Sequence, residues 1–280
     1  MTRRGISWAL LAVLVLAQIC YPLTAGATRA GLTVATVVLG WLLSVGHALL
    51  SRGPRAAAAL VAVATGGGFA IEAIGVATGV PFGSYDYSGE LGPKLAGVPL
   101  IIPLAWTWMA WPAWLAAVRL TGGSIGSPAL RRVRRIALAT LGLATWDLFL
   151  DPQMVAEGYW VWRNATPALP GLPGIPVSNY LGWLLFAVLL MSTLRPLAGP
   201  DADRTDHRDH PMIALYLWTY FSSILAHAVF LDLPASALWG AAGMSVTAVP
   251  LAVILLRSRG ASDAHREGHL PQRPGVDATR

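Results

Sequence analysis

The chain has one cysteine, Cys20, in 280 residues. It therefore has no internal disulfide and no Cys-based metal site; Cys20 sits in an apolar run and is expected to be a small packing residue. Charge is scarce as well. Only 12% of residues are Asp, Glu, Lys or Arg, about half the share of an ordinary soluble domain. No phosphate-binding loop is present: Gly66-Gly-Gly68 is followed by Phe69 rather than by a Lys-Ser/Thr pair. Those small residues are expected to permit close helix packing. Nor is there an internal repeat. What is abundant is apolar sequence, 55% hydrophobic with a mean hydropathy of +0.57. Continuous rather than alternating apolar runs predict an all-α, polytopic transmembrane bundle rather than a barrel.

The runs divide into about eight spans, near 6–26, 30–50, 56–80, 97–118, 134–151, 179–194, 211–231 and 234–256, with seven as the alternative count. The net charge of +6 could suggest a polyanion partner, but its distribution excludes nucleic acid. All but three of the 20 Lys and Arg residues fall on one side of these spans; Arg29, Lys94 and Arg163 are the exceptions. That asymmetry puts both termini in the cytoplasm and predicts a multi-pass protein of the cell membrane. The start resembles a signal peptide, with Arg3-Arg4, an apolar stretch and Ala25-Gly-Ala27. With further spans following, it is expected to be retained as a first helix.

The organisation is then a bundle over 1–257 and a disordered cytoplasmic tail over 258–280. The cytoplasmic connections 120–135 and 196–210 read as plain tethers, and His207, His210, His265 and His269 as solvated histidines. The opposite connections differ. Segments 81–97 and 152–178 mix Trp and Tyr with Gly and Pro and carry few charges, which suits ordered loops at the membrane interface.

Three carboxyl groups lie inside this apolar chain: Glu72, Asp147 and Asp151. Acids in hydrocarbon are costly and usually paired, functional or turned to a wet cavity. Asp147 and Asp151 are four residues apart and share one face if their segment is helical. Glu72 lies about 12 Å inside the outer end of its span at about 1.5 Å per residue. Tyr85, Asp86, Tyr87, Asn179 and His227 converge on the same outer half, with Asp232 at its edge, whereas the opposite half offers only His47. Crowded carboxyl groups in an apolar site form acid/base couples. Trp106, Trp108, Trp111, Trp146, Trp160, Trp162 and Trp183 could present π-faces to a cation. Acids with aromatic walls suit alkene protonation followed by water capture, cyclisation or isomerisation, and the residues alone leave that choice open.

Four strings carry a resemblance: Pro81-Phe-Gly-Ser-Tyr-Asp-Tyr87; Leu91 to Leu100 with Ile102-Pro-Leu-Ala-Trp106; Trp146-Asp-Leu-Phe-Leu-Asp-Pro-Gln-Met154 with Gly158-Tyr-Trp160; and Pro176-Val-Ser-Asn-Tyr-Leu-Gly-Trp183. Across about residues 65–255 the chain resembles the bacterial and archaeal carotenoid-biosynthesis membrane proteins. That family includes carotenoid 1,2-hydratases acting on gamma-carotene and on bisanhydrobacterioruberin. The resemblance implies addition of water across the terminal C1=C2 bond of an acyclic carotenoid end, giving a tertiary alcohol. It implies a hydro-lyase without cofactor or metal, a lipid-soluble carotenoid as substrate, membrane lipid as surroundings, and other carotenoid-biosynthesis enzymes as candidate partners. The resemblance assigns no residue roles; from the residues themselves, Asp147 or Glu72 is expected to donate the proton. Asp151, with Asn179 or His227, holds the water and accepts its proton. Tyr85, Asp86, Tyr87, Trp106 and Trp146 contribute to the substrate cavity. The rival readings are a carotenoid cyclase, an isoprenoid prenyltransferase using Asp147-x-x-x-Asp151, and a non-enzymatic membrane carrier.

Overall fold

The computed structural model describes the backbone of residues 3–123 and 126–267 and the side chains of residues 5–123 and 126–258. Each expected span overlaps helix, though 97–118 becomes helical only from Ile102. These are α1 (Arg3–Cys20); α2 (Gly26–Arg52); α3 (Pro54–Leu60) and α4 (Gly67–Thr78), joined by a π-helical turn; α5 (Ile102–Thr121); α6 (Pro128–Ala144) and α7 (Asp147–Ala156); α8 (Val177–Ala198); α9 (His210–Leu225), ending in a second π-helical turn; and α10 (Pro234–Glu267). Six helical stretches among the described residues are long and apolar enough to cross a membrane: Gly5–Leu23, Gly26–Arg52, Pro54–Thr78, Val177–Ala198, His207–Phe230 and Pro234–Ser258. The protein is a membrane protein built of helices. α10 continues helical to Glu267, past the start expected for a tail; residues 268–280 lie outside the described residues.

α5 is the hub. Seventeen of its 20 residues are buried, which is the signature of a helix apolar on every side. It packs against α2, α4, α6, α9 and α10, and its tryptophans supply bulk where neighbouring helices are small. A Cβ on Gly68 would stand 2.9 Å from the Trp106 ring, so the glycine run expected to allow close packing does so against α5. α6 starts on a Ser127 cap whose hydroxyl accepts from Leu130 N at 3.2 Å, with Pro128 at the first helical position.

The span expected as one helix over 134–151 is broken. α6 stops at Ala144 and α7 restarts at Asp147. The Thr145 hydroxyl donates to Leu141 O at 2.6 Å, and the backbone of Thr145 and Trp146 closes the last turn of α6 through bonds to Leu141 and Leu143. Asp147 therefore opens a new helix rather than ending a long one.

Small strands were not part of the all-α expectation. β1 (Tyr85–Tyr87) pairs antiparallel with β4 (Trp160–Trp162), matching Tyr85 with Trp162 and Tyr87 with Trp160. Thus the two aromatic loops join into one ribbon. β2 (Lys94–Leu95) with β3 (Val98–Pro99), and β5 (Ala168–Leu169) with β6 (Leu172–Pro176), form two further hairpins.

The connection 196–210 is no plain tether. Asp203 pairs with both Arg135 and Arg195 at 2.8 Å, and Asp209 with Arg52 at 2.7 Å. The Trp114 indole donates to Ala202 O at 2.8 Å. Two acids of this segment, Asp203 and Asp209, thus find arginine partners on α2, α6 and α8, which composition alone does not reveal.

Candidate active site

A cavity with about 140 Å³ of free space lies among α1, α2, α4, α5, α7, α8 and α9, walled on one side by the β1–β4 ribbon. Strand alternation decides what the ribbon contributes. Tyr85, Tyr87, Trp160 and Trp162 line the cavity, while the intervening Asp86 and Val161 face out. Asp86 consequently does not join the site. It accepts two bonds from the Arg163 guanidinium at 2.7 and 2.8 Å, and that guanidinium holds its carboxyl below the usual carboxylate range.

Glu72 is buried on α4 and touches the cavity. Three donors converge on it: Tyr85 O–H to Oε2 at 2.6 Å, Tyr87 O–H to Oε2 at 2.8 Å, and Trp106 Nε1–H to Oε1 at 3.0 Å. Two glycines make this possible. Gly68 and Gly75 stand four residues before and three after Glu72, on its own helical face. Gly68 leaves room for Trp106; at Gly75 a Cβ would lie 2.9 Å from the Tyr85 hydroxyl and from Phe82.

The Asp147/Asp151 pair behaves as the four-residue spacing requires. Both carboxyl groups meet the single Asn179 side-chain nitrogen, which donates to Asp147 Oδ2 at 2.8 Å and also to Asp151 Oδ2. All three residues are buried. Their exposure to the cavity differs. Asp151 and Asn179 line it and Asp147 does not. Asp147 stands behind Asp151, and its Oδ1 has no protein hydrogen-bond partner.

The aromatic walls follow the sequence reading closely. Trp106, Trp108, Trp146, Trp160, Trp162 and Trp183 line the cavity. Trp106 and Trp183 stack at 3.7 Å between centroids, and Trp146 meets Trp108 edge-on at 5.4 Å. Trp111 is elsewhere: its indole donates to His47 Nδ1 at 3.0 Å in the opposite half. His227 is also off the wall. Its Nδ1 lies 2.8 Å from Ser236 Oγ and its Nε2 lies 3.2 Å from the Gln153 side-chain amide, so Gln153, not His227, faces the cavity.

Residues from the first two helices were not foreseen as part of the site. Gln18, Tyr21, Thr33 and Thr36 all line the cavity. The Thr33/Thr36 spacing on α2 was the available signal, since residues three apart share a helical face. No group of three or more His, Cys, Asp or Glu side chains among the described residues is placed to hold a metal ion.

Buried acids and stacked indoles thus meet inside one membrane helical bundle. The family model for carotenoid biosynthesis proteins matches residues 31–250, and the chain belongs to that family. A bisanhydrobacterioruberin hydratase of Haloarcula japonica is 40% identical over 140 residues, which is 49% of this chain and 44% of that protein. The match thus spans less than half the length of that relative. No solved structure matches this chain.

Proposed function

We propose that this protein is a carotenoid hydratase of the cell membrane, a hydro-lyase that adds water across the terminal C1=C2 bond of an acyclic carotenoid end group. On the Lys and Arg asymmetry both termini lie in the cytoplasm, and Glu72 and Asp151 belong to the opposite half of the bundle. The observation that carries the reading is the meeting of two buried acid centres, Glu72 and Asp151, on the wall of one indole-lined cavity. The hydratase relative and the family membership support it.

The cavity size fits an end group and not a whole polyene. About 140 Å³ is close to the ~150 Å³ that accommodates a benzene-sized guest. Roughly six carbons enter and the remaining chain lies outside, in lipid or along the bundle.

The two acids have different surroundings and receive different roles. Glu72 accepts three hydrogen bonds, which offset part of the cost of burying a carboxylate and leave it little to donate. It is the counter-charge for a developing cation. Asp147 and Asp151 crowd one amide nitrogen. Like carboxyl groups in contact share a proton rather than both ionise, and the member facing the cavity is Asp151. Asp151 therefore donates the proton to C2, with Asp147 as the partner that keeps a proton on the pair. The tertiary cation at C1 is faced by the indole π-surfaces and Glu72. Water adds at C1, and the Asp151 carboxylate takes the proton released. Asn179 orients both aspartates. Its N–H also occupies the oxygens that a diphosphate-bound magnesium would need, which disfavours the prenyltransferase reading.

The test is carotenoid mass spectrometry after expression in cells that accumulate lycopene or gamma-carotene. A gain of one water per acyclic end supports hydration. An isomer of unchanged mass would point to cyclisation instead.

A further inference from the structure

One side of the cavity has no role in the scheme above. The wall built by α1, α2 and α9 carries Gln18, Thr33, Thr36, Ser222 and Ser223, which are neutral hydrogen-bonding groups without an acid. Tyr21, in the short turn after α1, stands on this side. It is 6% exposed and lines the cavity, and its hydroxyl has no hydrogen-bond partner in the protein. A buried hydroxyl left unpaired carries an uncompensated desolvation cost, so a site that keeps one has a ligand for it to meet. Gln153 and Thr33 stand near enough to act on that hydroxyl, but neither meets it in full hydrogen-bond geometry. Thr33 already donates to Arg29 O at 3.0 Å. The Trp108 Nε1–H on the same cavity is likewise buried and unpaired.

Gln153 is braced from behind. Ser236 donates to Leu148 O at 2.7 Å, so its oxygen accepts from His227 Nδ1–H at 2.8 Å. A neutral His227 then offers a bare Nε2, 3.2 Å from the Gln153 side-chain amide, and the amide meets it with its NH2 group and turns its oxygen toward the cavity. This chain of contacts begins and ends on α7, the helix that carries Asp151. The Tyr21 ring is fixed as well, lying 5.5 Å under the Arg29 guanidinium, which pairs with Glu157.

We propose that Tyr21 and Gln153 form the binding site for the water molecule that adds to the substrate. The proposal rests on the hydratase reading. Water held by a phenol and an amide gives its protons to their oxygens and keeps a lone pair for carbon; water held only against the proton-donating acid does not. In the step itself, the Asp151 O–H bond breaks, the C2–H bond forms, and the π-electron pair moves to that new bond. The water lone pair then forms C1–O. The oxonium proton passes to the Asp151 carboxylate, which restores the acid. If the water is missing, the cation can leave by proton loss: a neighbouring carbon returns a proton to Asp151 and an alkene re-forms.

That difference can be measured in D2O with purified full-length protein in lipid and lycopene as substrate, scoring hydrated product and deuterium in recovered alkene. Tyr21→Phe keeps the ring and its contact with Arg29. It should lower hydrated product at least tenfold while deuterium still enters the alkene at the wild-type rate or faster. Gln153→Leu should give the same split independently, and it decides the matter if Tyr21→Phe does not accumulate in the membrane. Hydration at the wild-type rate in these variants would overturn the proposal, and so would parallel loss of hydration and exchange. Wild-type protein that exchanges or cyclises without hydrating would overturn the hydratase reading, and this site with it.

Discussion

Replacing Gly75 by alanine tests whether Glu72 depends on the donors around it. The added Cβ would lie 2.9 Å from the Tyr85 hydroxyl and from Phe82. Ordinary contact begins near 3.5 Å, so the Tyr85 ring must retreat by about 0.6 Å. Its 2.6 Å bond to Glu72 would then stretch to about 3.2 Å, beyond the normal range for O–H···O. Hydrogen bonds to charged groups contribute about 1.5–3 kcal/mol, and overpacking costs about 1–3 kcal/mol. If half of the weakened bond is felt by the cation, hydration slows about threefold to tenfold, with a lower unfolding temperature in detergent. Gly46→Ala is the control. It is also helical, has nothing within 4 Å of its new Cβ, and should be neutral or more stable by about 0.5–1 kcal/mol. The readouts are product per folded protein and thermal unfolding of both variants. Wild-type hydration by Gly75→Ala, with its unfolding temperature lowered, would refute the link between the Tyr85 bond and Glu72 chemistry.

Asp209→Ala should behave in the opposite manner. It leaves Arg52 buried without its carboxylate, a loss of about 3–5 kcal/mol; thermal unfolding should fall sharply while hydration per folded molecule is kept. Asp86→Asn removes an exposed ion-pair partner of Arg163 on the outer face of β1, and neither the rate nor the pH profile of hydration should change. Asp147→Asn leaves the cavity wall intact but removes the partner that shares a proton with Asp151, so hydration should fall at least tenfold with substrate binding retained, read as the split between kcat and KM.

Much of this was legible in the chain because membrane sequence is under few, strong constraints. Apolar length marked where helices lie, six of them among the described residues long and apolar enough to cross a membrane, and the four-residue spacing put Asp147 and Asp151 on one face, where Asn179 meets both. Trp106, which ends one string, stacks on Trp183 of another, and Trp108, two residues beyond, meets Trp146 of a third. What failed to show depended on events of a few residues or on pairing between distant segments. The Thr145–Trp146 break left no proline or glycine in the sequence to mark it. The β1–β4 pairing, which turns Asp86 outward while Tyr85 and Tyr87 turn in, joins loops about 75 residues apart. Segment 196–210 reads as solvated charge because its arginine partners lie on other helices. Tyr21 and Gln153 were invisible as a pair, since nothing local links the end of α1 to α7.

The central claim is that Asp151 delivers the proton that starts hydration. The direct measurement is the carotenoid mass spectrum of lycopene-accumulating cells expressing wild type or Asp151→Asn, with both proteins shown by blot to be present in the membrane. The account predicts a one-water gain per end with wild type and unchanged lycopene with Asp151→Asn, since an amide cannot supply the proton. Full hydration by Asp151→Asn would contradict it.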